Sequence, residues 1–167
     1  MSQTEQKYCL DANVLIQAWQ KYYSPKICAD YWILLNDFGE KGKIFLPQNV
    51  FEEITKTEDE LTNWLKSSKI PIKEVDGSVA NCLKDIYAAN PLHKFLVDNT
   101  KQRSLADPWV IAHALHEKAC VVTKEEKVTA NTTRIKIPNV CENMGIRWIN
   151  DFEFLAELNI QFSCHLK

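Results

Sequence analysis

The sequence is poor in glycine and proline, with four and six among 167 residues, which excludes a collagen-like or low-complexity chain. It also lacks an excess of charge of either sign: 20 basic and 22 acidic residues leave a formal net charge of −2. That balance argues against a strongly basic coat for nucleic acid. It does not exclude a local basic groove, or a contact with phosphate bridged by a metal ion. Long apolar runs are missing too. The longest patches, such as residues 31–35, are far too short to cross a bilayer. The polar stretch at residues 1–7 has nothing of a signal peptide's apolar core. The six cysteines (Cys9, Cys28, Cys82, Cys120, Cys141 and Cys164) form no Cys-x-x-Cys pair, so a zinc module is not expected. Several sit in apolar runs, where a reduced cysteine behaves as a small hydrophobe. The expectation is a reducing, cytoplasmic setting with no membrane association.

What is present is an ordinary globular composition, 46% hydrophobic and 25% charged. The length predicts a single domain over residues 1–167, with its core at about 8–158. Short β-like runs alternate with longer helical ones. Strands are predicted at 8–10, 43–46, 70–75, 119–123, 135–137 and 146–149. Helices are predicted at 14–23, from Ser24-Pro25 to a stop at Gly39, from Pro47 through Ile54, and at 59–67, 78–89, 91–99 and 104–118. Two more are predicted at 138–144 and from an Asp151 cap through Leu158. In the second helix, Ile27, Tyr31, Leu34, Leu35 and Phe38 recur at helical spacing. This alternation predicts an α/β class: three layers, α/β/α, around a central, mostly parallel sheet. In such sheets ligands bind beyond the carboxyl ends of the strands.

The acids at those ends are the candidate chemistry. Asp11 follows the first apolar run directly, where an Asx turn or a helix cap is the plainer alternative. Glu52 and Glu53 follow the second; Glu53 falls beside the face shared by Val50 and Ile54, and Glu52 faces outward. Asp107 precedes Pro108, a pattern that predicts Asp107 as an N-cap and explains it without catalysis. Glu125 and Glu126 follow the strand ending in Thr123, in what is otherwise a charged loop. Each acid alone is ambiguous, but their order is less so. A parallel sheet would bring all four positions to one edge. Crowded carboxylates raise one another's pKa, and a divalent cation relieves the conflict. Oxygen ligands with open water positions suit Mg2+ or Mn2+.

On these residues the sequence resembles the PIN-domain nucleases. The resemblance rests on Leu10-Asp11-Ala12-Asn13-Val14-Leu15-Ile16, Val50-Phe51-Glu52-Glu53-Ile54, Ala106-Asp107-Pro108-Trp109-Val110-Ile111-Ala112-His113-Ala114 and Val121-Val122-Thr123-Lys124-Glu125, and it spans roughly residues 8–149. It is similar both to a bacterial PIN-like branch of uncharacterised proteins and to the VapC-type toxin ribonucleases of toxin–antitoxin pairs. The resemblance implies a hydrolase, an Mg2+- or Mn2+-dependent endoribonuclease, with Asp11, Glu53 and Asp107 as central acids. Asn13 and Thr123 would support the site. The family has aspartate two positions after the threonine, and here Glu125 stands there, with Glu126 as a competitor. Phosphodiester hydrolysis of RNA is the implied reaction, with Lys101, Arg103, Lys124 and Lys127 as candidate RNA contacts. An antitoxin protein and a homodimer are the implied partners. The histidines His113 and His116 read as structural, and Trp109 as a residue bordering the site.

Two other readings compete. An aspartate-nucleophile phosphatase would need a second aspartate two positions after Asp11, where Asn13 stands. A non-catalytic PIN-like binding module would keep the fold without the chemistry, and the altered fourth position leaves room for it.

Overall fold

Five short apolar runs become strands: β1 (Tyr8–Leu10), β2 (Ile44–Pro47), β3 (Ile72–Lys73), β4 (Cys120–Val122) and β5 (Trp148–Ile149). A computed structural model describes residues 5–129 and 134–167. The strands form one sheet in the order β3-β2-β1-β4-β5, and every neighbouring pair is parallel. Cys9 stands opposite Phe45 on one side and Val121 on the other, and Leu10 stands opposite Val122. The intervening helices are α1 (Ala12–Gln17), α2 (Ala29–Glu40), α3 (Gln48–Thr55), α4 (Glu60–Ser67), α5 (Gly77–Ala89), α6 (Asp107–Glu117), α7 (Ile137–Met144) and α8 (Asp151–Glu157).

The central strand shows why both faces must be covered. Side chains alternate across a strand, yet Tyr8, Cys9 and Leu10 are all buried. The Cys9 thiol lies 3.7 Å from the Val110 carbonyl of α6. Tyr8 points the other way, its ring 4.9 Å from that of Phe154 on α8. Helix α6 packs on β1, β2 and β4, with α5 and α7 against it. On the opposite face α2 packs on β2, and Phe38 meets Phe154. The result is the expected α/β/α arrangement of three layers. Among the described residues, no helix is long and apolar enough to cross a membrane.

Several element boundaries differ from the sequence reading. Ser24-Pro25 starts a turn, not the helix: the Ile27 and Cys28 amides donate to the Ser24 carbonyl, and α2 begins at Ala29. Ile27 is 78% exposed and does not belong to the buried stripe. Gly39 does not stop α2. It lies inside the helix, where an added Cβ would sit 2.6 Å from the Ile70 Cα, so glycine there permits the close approach of the β3 entry. The left-handed residue after the helix is Gly42, at φ +72. The first helical stretch is α-helical to Gln17 and then π-helical over Ala18–Tyr22, closed by the Tyr23 amide on the Ala18 carbonyl. The predicted 91–99 helix is a 3-10 segment over Pro91–Leu96. No strand forms at 135–137. Ile135 and Ile137 are buried, but the chain there enters α7, so the alternation records burial and not a ladder. The last helix is capped by Asn150, whose side chain accepts from the Glu153 amide, and Asp151 is its first residue.

Candidate functional site

Asp11 leaves the carboxyl end of β1 and caps α1, its Oδ1 accepting the Ala12 amide at 2.8 Å. The Asx-cap alternative is therefore part of the structure, and it uses one oxygen. The other, Oδ2, accepts the Thr123 hydroxyl at 2.8 Å across the β1–β4 pair. Asp11 is 3% exposed. Burial is the main reason its carboxyl is pushed up to about 7, and Glu125 and Glu53 raise it further against the Thr123 and Ala12 hydrogen bonds.

Asp107 is not an N-cap. Its amide donates to the Ser104 carbonyl, the turn runs directly into α6, and Ala106 takes the cap position without a side-chain bond. The Asp107 carboxylate is therefore not spent on capping the helix. Burial first, then the charges of Asp11, Glu125 and Glu53, push it up to about 9. Glu53 keeps an accessible side chain on α3, yet it is hemmed in enough that burial raises its carboxyl, and Glu125 adds to the rise. Its neighbour Glu52 accepts from Gln48 at 2.8 Å, one turn away. These mutual effects mean that Asp11, Glu53, Asp107 and Glu125 share one electrostatic neighbourhood at the carboxyl edge of the sheet. Among the described residues, Asp11, Glu53 and Asp107 make no ion pair.

Thr123 and Asn13 fix the loop after β4. The Thr123 hydroxyl accepts the Glu125 amide at 3.1 Å while donating to Asp11. Asn13 Oδ1 accepts the Lys124 amide at 3.0 Å. Glu125 is partly engaged: Oε2 accepts the Ile137 amide at 2.9 Å, and Oε1 lies 3.4 Å from the Lys136 ammonium. Sequence reasoning missed Ile137 and Lys136 as neighbours of the site, because the predicted strand there hid the start of α7. Glu126 is exposed in the loop beside it.

The candidate RNA contacts separate. Arg103 lines a cleft of about 670 Å3 with Glu53, Lys56, Ser104 and Trp109, so Trp109 shares a cleft with one of the candidate acids. Lys101 stands on the exposed turn beside Arg103, its amide held by Asp98. Lys127 pairs with Glu142 at 2.5 Å. Lys124 is 11% exposed, paired with the buried Asp151 at 2.8 Å, and stacked over two aromatic rings; it is not a free surface cation. His113 is buried on α6, and burial lowers its pKa, as befits a core residue.

A hard divalent cation suits this donor set. The acids are oxygen ligands, two of them buried and without a countercharge, and an incoming cation would relieve their repulsion. Among the described residues, no group of three or more His, Cys, Asp or Glu side chains is gathered closely enough to hold a metal ion as it stands.

Sheet order and layers together define a PIN-like α/β/α fold. A chain in the crystal structure of VapBC2 from Rickettsia felis bound to a DNA fragment from their promoter shares it: the TM-score is 0.56 at 14% identity, over 87% of this chain and 98% of that one. By sequence the chain belongs to the family described as domain of unknown function DUF4411, whose pattern matches residues 8–162. No curated protein matches it significantly in sequence.

Proposed function

We propose that this chain is a metal-dependent ribonuclease that hydrolyses RNA phosphodiester bonds, with Asp11, Glu53, Asp107 and Glu125 holding Mg2+ or Mn2+. The observation that carries the reading is the group of mutually repelling acids at the carboxyl edge of a PIN-like sheet. A bound cation would supply an acidified water and charge stabilisation at the scissile phosphate. The chain's own residues do the rest. Thr123 and the Ala12 amide orient the Asp11 carboxylate. Ile137 orients Glu125. Glu53, accessible and with its carboxyl raised by burial, would accept a proton from the attacking water. Arg103 and Lys56 line the adjoining cleft and would draw the phosphate backbone toward it.

The toxin reading, with an antitoxin protein as partner, extends the likeness to VapBC2. A homodimer, a cytoplasmic setting and a single domain over residues 1–167 belong to the same proposal. A second reading, a non-catalytic module, takes support from the engagement of Glu125 by Ile137 and Lys136.

The test is incubation of the purified protein with mixed RNA and Mn2+, beside Asp11→Asn and Asp107→Asn. The ribonuclease reading expects cleavage by the parent alone, abolished by EDTA. No cleavage, or equal cleavage by all three proteins, sinks it and favours the module.

A further inference from the structure

A second cavity, of about 520 Å3, lies along the loop after β4; its wall includes Thr123, Glu125, Gln17, Trp148 and two further aromatic rings, Tyr22 and Phe152. These rings come from distant parts of the chain, the π-helical turn and α8. They meet edge to face at 5.4 Å. The Lys124 ammonium sits 4.4 Å from the Tyr22 centroid and 4.3 Å from that of Phe152. Both rings stay well exposed, at 45% and 47%. Single exposed apolar residues need no explanation. Two that pack on each other and on one cation, in the wall of a cavity that also holds Glu125, do.

We infer that Tyr22 and Phe152 form a nucleobase-stacking subsite, which takes a base of single-stranded RNA next to the phosphate held at the acids. The inference rests on the ribonuclease reading for its substrate. Lys124 belongs to the subsite's frame and does not clamp phosphate. Its charge is met by Asp151, which is fully buried, and its amide is fixed by Asn13. The rings are thereby tied, one residue away on each side, to Thr123 and Glu125. The remaining wall carries three acids, Glu125, Glu126 and Glu153, against one further cation, Lys127, which pairs with Glu142; this balance disfavours a phosphate while tolerating an uncharged base. Every base has a π face, so such a platform binds single strands with little sequence preference. The Gln17 amide supplies a group able to read a base edge.

Replacing Lys124 or Asp151 would strand a buried charge and blur the outcome, so the rings are the place to test. Binding of a fluorescein-labelled, mixed-sequence single-stranded RNA 12-mer would be followed by anisotropy, with Ca2+ and without metal. The Tyr22→Leu/Phe152→Leu protein keeps apolar cover but has no π face. It should bind about tenfold more weakly, within the roughly 5–150-fold that loss of one stacked base allows, with an unchanged melting temperature. Tyr22→Phe should bind as the parent does. In an abasic scan of the oligonucleotide, the parent should lose the same factor at one position, and the double variant nothing further there. Parental affinity in the leucine variant, indifference to every abasic position, or no binding of RNA by the parent would each overturn the inference. Ring-dependent binding without cleavage in Mn2+ would keep the subsite and remove the ribonuclease reading. Cleavage that needs Asp11 but ignores the rings would do the reverse.

Discussion

The two edges of the sheet use acidic residues in opposite ways. At the amino edge, Glu117 and Glu157 each meet a cation or a donor. Glu117, at the end of α6, lies 3.2 Å from Lys7 and 3.6 Å from Lys73, and these neighbours hold its carboxyl below the usual range despite some burial. Glu157, at the end of α8, accepts from the Tyr8 hydroxyl at 2.6 Å and pairs with Arg147; the Tyr8 hydrogen bond leads in lowering its pKa. At the carboxyl edge, burial and neighbouring acids outweigh even the two hydrogen bonds that Asp11 accepts, and Asp11, Glu53 and Asp107 are all raised. Helix α6 displays the contrast along its own length: its first residue is a raised aspartate and its last a lowered glutamate. Acids that neutralise their neighbours hold a fold together. Acids that repel theirs cost stability and are kept for something that arrives from outside.

The largest expected effect separates the edges by activity. Asp11→Asn and Asp107→Asn should each lower Mn2+-dependent RNA cleavage about a hundredfold or more, above the roughly 10–100-fold that loss of a ligand's supporting partner costs. Glu117→Gln should leave cleavage unchanged and lower the melting temperature by about 2–4 °C, as befits a pair worth roughly 1 kcal/mol. Next is the response to metal. At a hundred times its dissociation constant, Mn2+ should stabilise the parent by about 2.7 kcal/mol. At roughly 2–4 °C per kcal/mol for a chain of this size, differential scanning calorimetry should show a rise that both amide variants lack.

The pH dependence follows from the sign of the shifts. Asp11 and Asp107 have folded-state pKa values of about 7 and about 9, against roughly 3.9 in an unfolded chain. The metal-free folded protein thus binds more protons than the unfolded one between those limits. The stability these groups contribute is complete below about pH 4 and is lost as pH rises toward 9. Asp107→Asn should flatten that decline and raise the metal-free melting temperature at pH 8, a gain that urea titrations across the range would reveal. The smallest effect is expected at Thr123→Val, which removes the hydrogen bond to Asp11 and the acceptor of the Glu125 amide while leaving every acid in place. Cleavage should fall roughly 10–100-fold with the metal response retained but weakened.

The contrast between edges was only half legible in the sequence. The runs at 8–10 and 120–122 announce buried strands because apolar and β-branched residues fill them, and parallel pairing then orders their carboxyl ends. The positions of Asp11, Thr123 and Glu125 follow from that order. The start of α6 does not. Asp-Pro reads as cap and first residue, and only the turn from Ser104 shows that Asp107 lies inside the helix. Ile135 and Ile137 imitate a strand because both are buried, whatever the backbone does between them. The Tyr22, Lys124 and Phe152 cluster left no local signal at all, since its members are separated by about a hundred and by 28 positions and their contact depends on where β4 and α8 end. Glycine 39 misled for a related reason. Its freedom is used to admit the Ile70 backbone, a constraint that comes from outside its own helix.

The most direct test is a calorimetric titration of Mn2+ at neutral pH into the parent, Asp11→Asn, Asp107→Asn and Glu117→Gln proteins. Saturable binding by the parent and Glu117→Gln, lost in both aspartate variants, is the predicted result. No binding by the parent, or equal binding by all four, would contradict the claim that the carboxyl edge is built for a cation.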